Sequence, residues 1–332
     1  MIRLKKQYRE SLLDYKFIDL FCGIGGFHLA LKSFGAKCVF ACDINTEARK
    51  IYKNNFKLEP KDDIKKIQTE EIPEHDILCG GFPCQAFSIS GAQDGFNDET
   101  TGKLFYEIIR IAKHYKPKLI FLENVANLDN HDKGATIKTI LAELKGIGYT
   151  PFKSILNAMD YNVPQIRKRL YIVAFRDDLN ITEFSFPEPI RRTRKLSDLL
   201  ETDEEATRPY IIKRKYHLRD NYKDIERNTV NPYIRIGEIG LGRQGERIYS
   251  IEGCATTLSS SGGGLGGRTG IYLINNSIRK LTPRECARLM GFPNSFIIAQ
   301  TPNQAYLQFG NSVVVNVLQH IIIEILDKLN GG

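Results

Sequence analysis

Through roughly its first 175 residues this chain alternates short apolar runs with longer segments of helical spacing, and few folds accommodate that rhythm. Phe17–Phe21, Cys38–Cys42, Ile77–Leu78, Leu119–Leu122 and Leu170–Phe175 have the length of buried strands. Between them, Phe27–Phe34, Thr46–Asn55, Lys103–His114 and Thr136–Leu144 repeat apolar residues at the helical period. Strands separated by helices predict an α/β fold on a doubly wound, mostly parallel sheet. Ligands on such sheets bind beyond the carboxyl ends of the strands, so residues just after each apolar run are the first candidates for function.

The pattern breaks near Phe186, where FPEPIRRTRK brings two prolines and five charges. From there to Ile274 the chain is polar, basic and rich in glycine and serine, which predicts a smaller, irregular second domain. Residues 191–280 carry 17 Lys and Arg against 11 Asp and Glu, and so hold most of the chain's net charge of +8. A polyanion such as nucleic acid belongs there. Within it, GLGRQGER and SSSGGGLGGRTG favour positive φ and close backbone approach, although flexible surface loops have the same composition. Thr282, Pro283 and Glu285 fit a capping box, with Gly291 placed to end the helix they open. A second helix, from about Ser312 to Leu329, is so apolar that it must return to a core. The expected division is a first domain at 1–190, a second at 191–280, a hinge region at 281–309 and the returning helix at 310–332.

At 332 residues and 42% apolar, the chain has enough sequence for at least one sizeable core. Its uncharged apolar runs are short of the roughly 20 residues that span a bilayer, and Met1–Tyr15 lacks the apolar stretch of a secretory signal. A cytoplasmic protein without a membrane segment is expected. Seven scattered cysteines, none in a CxxC pair, argue against a disulfide framework or a metal site.

Four constellations carry chemistry. FIDLFCGIGGFHLAL places a strand, a turn with Gly23, Gly25 and Gly26, and a helix in succession, and Asp43 follows Gly23 at the end of the next strand, where a ribose hydroxyl needs an acceptor. His28 stands where a dinucleotide fingerprint has its third glycine, which tilts the reading toward another nucleoside cofactor. Dinucleotide enzymes remain open at this level. ILCGGFPCQAFSISG puts a thiol, Cys84, just past a strand, as a nucleophile or as buried filler. LIFLENV ends a strand on Glu123 and Asn124, with helix capping as the alternative for Asn124. In VPQIRKRLYIV, Gln165, Arg167 and Arg169 alternate, so Arg167 and Arg169 are expected on the same side, entering one site.

Taken together, FIDLFCGIGG, Asp43, GGFPCQAFS, ENV, QIRKR, RKLTPRECARLMGFP and QFGNSVV resemble the ordered motifs of the DNA (cytosine-5) methyltransferase family over nearly the whole chain. The likeness is greatest to small bacterial restriction-modification enzymes, and GRQGERIYS with TTLSSSGGG resembles the recognition domain of those that read GCGC. The resemblance implies a Rossmann-like methyltransferase fold with a β-rich target-recognition domain, S-adenosylmethionine as methyl donor, and double-stranded DNA as substrate. A monomer, associated with the nucleoid when bound to DNA and holding no metal, is also implied.

The family's roles fall on matching residues. Cys84 becomes the nucleophile toward cytosine C6, with Gln85 beside it, Glu123 the partner of N3, and Arg169 the O2 donor. Arg167 and Asn124 brace the site. Phe21, Gly23, Ile24, Gly25, Gly26, Asp43, Ile44, Asp63, Pro83 and Leu104 are implied around the cofactor, completed by Asn311, Ser312 and Val313. Ile44 departs from the aromatic residue that some relatives place on the adenine. Ser88 to Gly102 is implied as a closing loop. Ser90 and Gln244 would fill the space left by a flipped base, Arg247 would read guanine, and Thr257 would press on the nucleotide backbone. A tRNA cytosine methyltransferase shares the catalytic motifs, and an inactive relative would keep the basic domain. The glycine-rich recognition segment and the intact Cys84, Glu123 and Arg169 favour an active DNA enzyme.

Overall fold

In the computed structural model of the protein, which describes residues 1–2, 4–82, 102–228 and 232–330, the apolar runs become strands of a six-stranded sheet. In chain order these elements are β1 (Lys16–Leu20), α1 (Gly26–Lys32), β2 (Lys37–Cys42), α2 (Thr46–Phe56), β3 (Ile77–Gly80), α3 (Gly102–Tyr115), β4 (Leu119–Val125), α4 (Ala135–Gly146), β5 (Tyr149–Asn157) and β6 (Lys168–Arg176). The strand order is β2-β1-β3-β4-β6-β5. The pairs β1 with β2, β1 with β3 and β3 with β4 are parallel, and β6 runs antiparallel to β4. The central strands are apolar on consecutive residues because both faces are covered. Ile18, Leu20, Leu78, Ile120 and Leu122 share one buried cluster with Phe105, Ile108 and Ile111 of α3 and with Ile137, Ile140 and Leu144 of α4. Each such side chain contributes about 1.5–3 kcal/mol by leaving water.

The chain divides into two compact units. The sheet belongs to the larger, made of Ile2–Leu156, Lys168–Glu188 and Val317–Gly332; the other comprises Met1, Asn157–Arg167 and Pro189–Asn316. The second unit contains α5 (Glu204–Thr207), β7 (Tyr216–Leu218), α6 (Tyr222–Asn228), β8 (Arg235–Ile239), β9 (Arg247–Tyr249), β10 (Ile271–Ile274), β11 (Ser277–Arg279), α7 (Pro283–Leu289) and α8 (Pro302–Asn311). Its strands form a five-stranded sheet in the order β11-β10-β9-β8-β7. The small core beneath is built on isoleucines, Ile234, Ile236, Ile239, Ile248, Ile271 and Ile278. The two glycine-rich segments lie backbone to backbone: Gly266 N donates to Gly245 O at 2.8 Å, and a Cβ added to Gly245 would stand 2.9 Å from Gly263 O. Glycine is needed there for close approach, so these segments are built parts of the unit.

The capping box forms as read. Glu285 N donates to Thr282 Oγ1 at 3.1 Å, Thr282 N donates to Glu285 Oε2 at 2.8 Å, and Gly291 past the helix end has φ +82°. Glu285 also receives the buried Arg279 guanidinium through two hydrogen bonds, which satisfies both charges away from water. The last helix, α9 (Val315–Asn330), is tied to the larger unit by its Gln319, which accepts from Ile2 N at 2.8 Å and donates to Ser33 Oγ at 2.9 Å. The stretch Pro302–Asn330, which α8 and α9 share, has the length and apolar composition of a bilayer-crossing helix, but 72% of its most apolar window is buried, as in core helices.

Candidate active site

At the end of β1 the backbone turns sharply, with Phe21 at φ +55°, Gly23 at +52° and Gly25 at +88°. The turn is closed by Gly25 N to Cys22 O at 2.8 Å and fastened to β2 by Cys22 N to Cys42 O at 2.9 Å. Asp43, just past β2, holds it from the side: Gly23 N donates to Asp43 Oδ2 at 2.8 Å, and Asn45 N donates to Oδ1 at 2.7 Å. Burial raises the Asp43 pKa above the ordinary carboxylate value, while these two N–H groups pull it down.

The two glycines differ in function. A Cβ on Gly25 would lie 2.2 Å from Phe56 Cε2, so Gly25 is required by packing against α2. Among the described residues, a Cβ on Gly23 would meet nothing within 4 Å, so none of them closes the space in front of Gly23. Asp43 borders that opening through its bond from Gly23 N. Lys61 pairs with Cys42 as a parallel bridge, which brings Asp63 to the Asp43 edge, where Asp63 Oδ1 accepts from Lys65 N at 3.1 Å. Carboxylates accept from ribose hydroxyls and an amino group but repel a pyrophosphate, so the residues present fit S-adenosylmethionine better than a dinucleotide. Ile24 is buried; Gly26 opens α1; Leu104 is half-buried on α3; Ile44 is 74% exposed, an apolar surface beside Asp43.

The sheet's carboxyl edge brings a carboxylate and a guanidinium together. Glu123 lies near the end of β4, and because β6 is antiparallel its first residues sit beside that end, with Val125 opposite Arg169. Arg169 Nε stands 3.0 Å from Glu123 Oε1, with the two side chains 16% and 9% exposed. Gly81 faces this pair: a Cβ there would be 3.3 Å from Glu123 Oε2. Asn124 donates from Nδ2 to Phe82 O at 3.1 Å and accepts Val125 N at its Oδ1. It therefore holds the backbone two residues before Cys84. Pro83, Cys84, Gln85, Ser90 and the rest of 83–101, including most of the expected closing loop, lie outside the described residues.

Arg167 requires a correction. It is 2% exposed, and its guanidinium donates to Leu258 O at 2.7 Å, Gly310 O at 2.8 Å and Ser312 O at 2.6 Å, all within the second unit. Strand β6 begins only at Lys168, so the period-2 rule that would align Arg167 with Arg169 does not reach Arg167. Ser312 follows Asn311 at the end of α8, and Val313 is buried. In the same unit Gln244 is exposed at the start of a short turn, Arg247 is half-buried at the start of β9, and Thr257 Oγ1 donates to Ile166 O.

Sequence reading passed over Asp19, which is 1% exposed on β1. Burial holds its pKa well above the ordinary range, and the nearby Asp43 charge adds to the shift. An acid inside the apolar run FIDLF was the available signal. The thiols at 22, 38, 42, 79, 254 and 286 are buried, and burial pushes Cys38 and Cys42 up to about 12, as befits inert core.

The profile of the family described as C-5 cytosine-specific DNA methylase matches residues 15–327. Among characterised proteins, the chain is 47% identical over 330 residues to Type II methyltransferase M.HhaI of Haemophilus parahaemolyticus, with 99% of each chain covered. It is 40% identical to Type II methyltransferase M.HpaII of Haemophilus parainfluenzae, covering 96% of this chain and 90% of that one. Among solved structures, the Entamoeba histolytica methyltransferase EhMeth superposes with a TM-score of 0.72 at 22% identity, over 94% of this chain and 98% of the other, a likeness of fold. The chain therefore belongs to the C-5 cytosine-specific DNA methylase family and is a DNA (cytosine-5) methyltransferase that uses S-adenosylmethionine as its methyl donor.

Proposed function

We propose that this enzyme methylates one cytosine, flipped out of double-stranded DNA at a GCGC site, as the modification activity of a bacterial restriction-modification system. It works as a monomer in the cytoplasm, on the DNA of the nucleoid. The observation that carries the reading is the ion pair of buried Glu123 with half-buried Arg169 at the carboxyl edge of the sheet, beside the strand from which the chain runs on to Cys84. The GCGC assignment is supported by GRQGERIYS and TTLSSSGGG in the basic segment at 191–280, taken as the recognition domain.

Cytosine C5 is a poor nucleophile while the ring is aromatic. The Cys84 thiolate adds to C6, and the displaced electron pair moves toward the N3 and O2 edge. Glu123 holds a proton at N3 and Arg169 donates to O2, so the edge that gains charge meets a donor at each atom. S-adenosylmethionine, when bound in front of Gly23, supplies an electrophilic methyl on a sulfonium sulfur. C5, now an enamine carbon, accepts that methyl; its proton then leaves to solvent, the C5–C6 double bond reforms and the Cys84 thiolate departs. Asn124 keeps the backbone before Cys84 in place, and Arg167, with Gln85, braces the surroundings. Unstacking the base costs a few kcal/mol. Ser90 and Gln244 fill the space it leaves, Arg247 reads guanine O6 and N7, and Thr257 bears on the target nucleotide's backbone.

Bisulfite sequencing of plasmid DNA from a host expressing the gene tests both layers. Methylation confined to one cytosine of GCGC is expected. Methylation in another sequence would refute the specificity alone, and unmodified DNA despite soluble protein would refute the activity.

A further inference from the structure

The recognition unit contains a clamp that no catalytic role explains. Gln165 is wholly buried. Its Oε1 accepts from Leu258 N at 3.1 Å, and its Nε2 donates to Leu289 O at 3.4 Å, at the end of α7. Arg167, two residues on, donates to the carbonyl of the same Leu258 at 2.7 Å. Both backbone polar groups of one buried residue are thus held by side chains from a single short segment. The backbones run together as well: Ala255 N donates to Pro164 O at 2.8 Å, Ile166 N to Ala255 O at 3.2 Å, and Thr257 Oγ1 to Ile166 O. On the far side, Gly310 leaves no room for a side chain, since a Cβ there would lie 2.3 Å from Ser260 N.

We infer that Gln165 is a positioning residue for DNA: by fixing Leu258 it sets the register of Thr257 and of the serine and glycine segment that follows. The inference rests on the proposal that this segment touches DNA. A free loop would have to be ordered on each encounter with DNA, at a cost in affinity; a loop held at Leu258 has already been ordered. Gln165 has no part in the chemical step, so its removal should appear in DNA binding and spare turnover.

The test compares wild type with Gln165→Met, which keeps the volume but strands the buried Leu258 N–H, and Gln165→Glu, whose protonated carboxyl keeps an acceptor for Leu258 N and a donor for Leu289 O. Steady-state methylation of a duplex containing the site found by bisulfite sequencing gives KM for DNA and kcat; S-adenosylmethionine affinity and thermal midpoint are measured in parallel. Gln165→Met should raise KM for DNA at least about fivefold, with kcat within about twofold and cofactor affinity unchanged, and Gln165→Glu should recover most of the loss. A fall in kcat at constant KM, no change in either constant, no recovery by Glu, or failure of both variants to fold would overturn the inference. Wild type that methylates no duplex would refute the underlying reading instead.

Discussion

Gly23 and Gly25 look alike in the sequence, both carry positive φ, and alanine at each should nonetheless fail in a different way. At Gly23 the added methyl meets nothing within 4 Å among the described residues, so the cost they impose is the left-handed backbone alone, about 1–2 kcal/mol. At Gly25 the same backbone cost applies, and the methyl stands 2.2 Å from Phe56 Cε2, 2.8 Å from Cζ and 3.1 Å from Tyr52 Cδ2. Two aromatic rings must move, and overpacking of that kind adds about 1–3 kcal/mol. Gly25→Ala should therefore lose about 2–5 kcal/mol in all. Its thermal midpoint should fall clearly below that of Gly23→Ala. The order reverses for ligand binding. The Gly23 methyl projects into the space assigned to S-adenosylmethionine and should weaken binding at least about tenfold, the equivalent of about 1.4 kcal/mol. Folded Gly25→Ala should bind nearly as wild type, since its methyl points into the protein. Differential scanning calorimetry and isothermal titration on the two variants suffice. Equal midpoints, or unchanged affinity in Gly23→Ala, would refute the assignment of one glycine to the cradle and the other to packing.

Cys84→Ser should abolish methyl transfer and leave cofactor affinity unchanged, as read by tritiated methyl incorporation and titration; full activity would remove the nucleophile. Wild type should form a stable covalent adduct with DNA containing 5-fluorocytosine at the target, since fluorine cannot leave C5 as a proton does, and denaturing electrophoresis would show it. Glu123→Gln should lower kcat by about 10²-fold or more with the fold intact, because the N3 edge loses its proton-sharing group; kcat within twofold of wild type would exclude that role. Asp19 gives a pH signature. The unfolded chain releases its proton near 3.8 while the folded protein keeps it, so this group's contribution to stability falls as pH rises, until the raised folded pKa is passed. The stability of Asp19→Asn relative to wild type should accordingly increase as pH rises above the ordinary aspartate value of 3.8, measured by urea unfolding; a pH-independent difference would show that Asp19 is charged in the fold.

Most of the larger unit was legible because burial on both faces writes itself as consecutive apolar residues. That code fails at β5. Its residues alternate in exposure at the sheet edge and include Pro151, and only two of the nine, Tyr149 and Leu156, are buried, so no apolar run appears. Strand direction was also hidden. Periodicity reports burial and carries no sign, but residues 158–167 between β5 and β6 contain no crossover helix, and without one the chain can only turn back. The reversal matters to the site: it is what sets Arg169, at the start of β6, beside Glu123, near the end of β4. A wholly parallel sheet would have placed the two at opposite edges.

The arginines show where sequence pattern stops being informative about chemistry. In QIRKR, Arg167 and Arg169 differ by two positions and nothing else, and alternation assigns them one direction. The strand starts between them, so one side chain obeys the sheet and reaches a carboxylate, while the other obeys a loop and takes three carbonyls. Their substitutions should separate accordingly. Lysine at Arg169 retains a charge for Glu123 and for the substrate oxygen. Lysine at Arg167 cannot reproduce a planar donor array that reaches Leu258, Gly310 and Ser312 together, and each unmatched buried carbonyl costs about 1–3 kcal/mol. Arg167→Lys should therefore lower the thermal midpoint and DNA affinity together, whereas Arg169→Lys should act on kcat with the midpoint little changed. If both variants lose kcat at constant stability, Arg167 belongs with the reacting groups after all, and the division drawn at Lys168 is wrong.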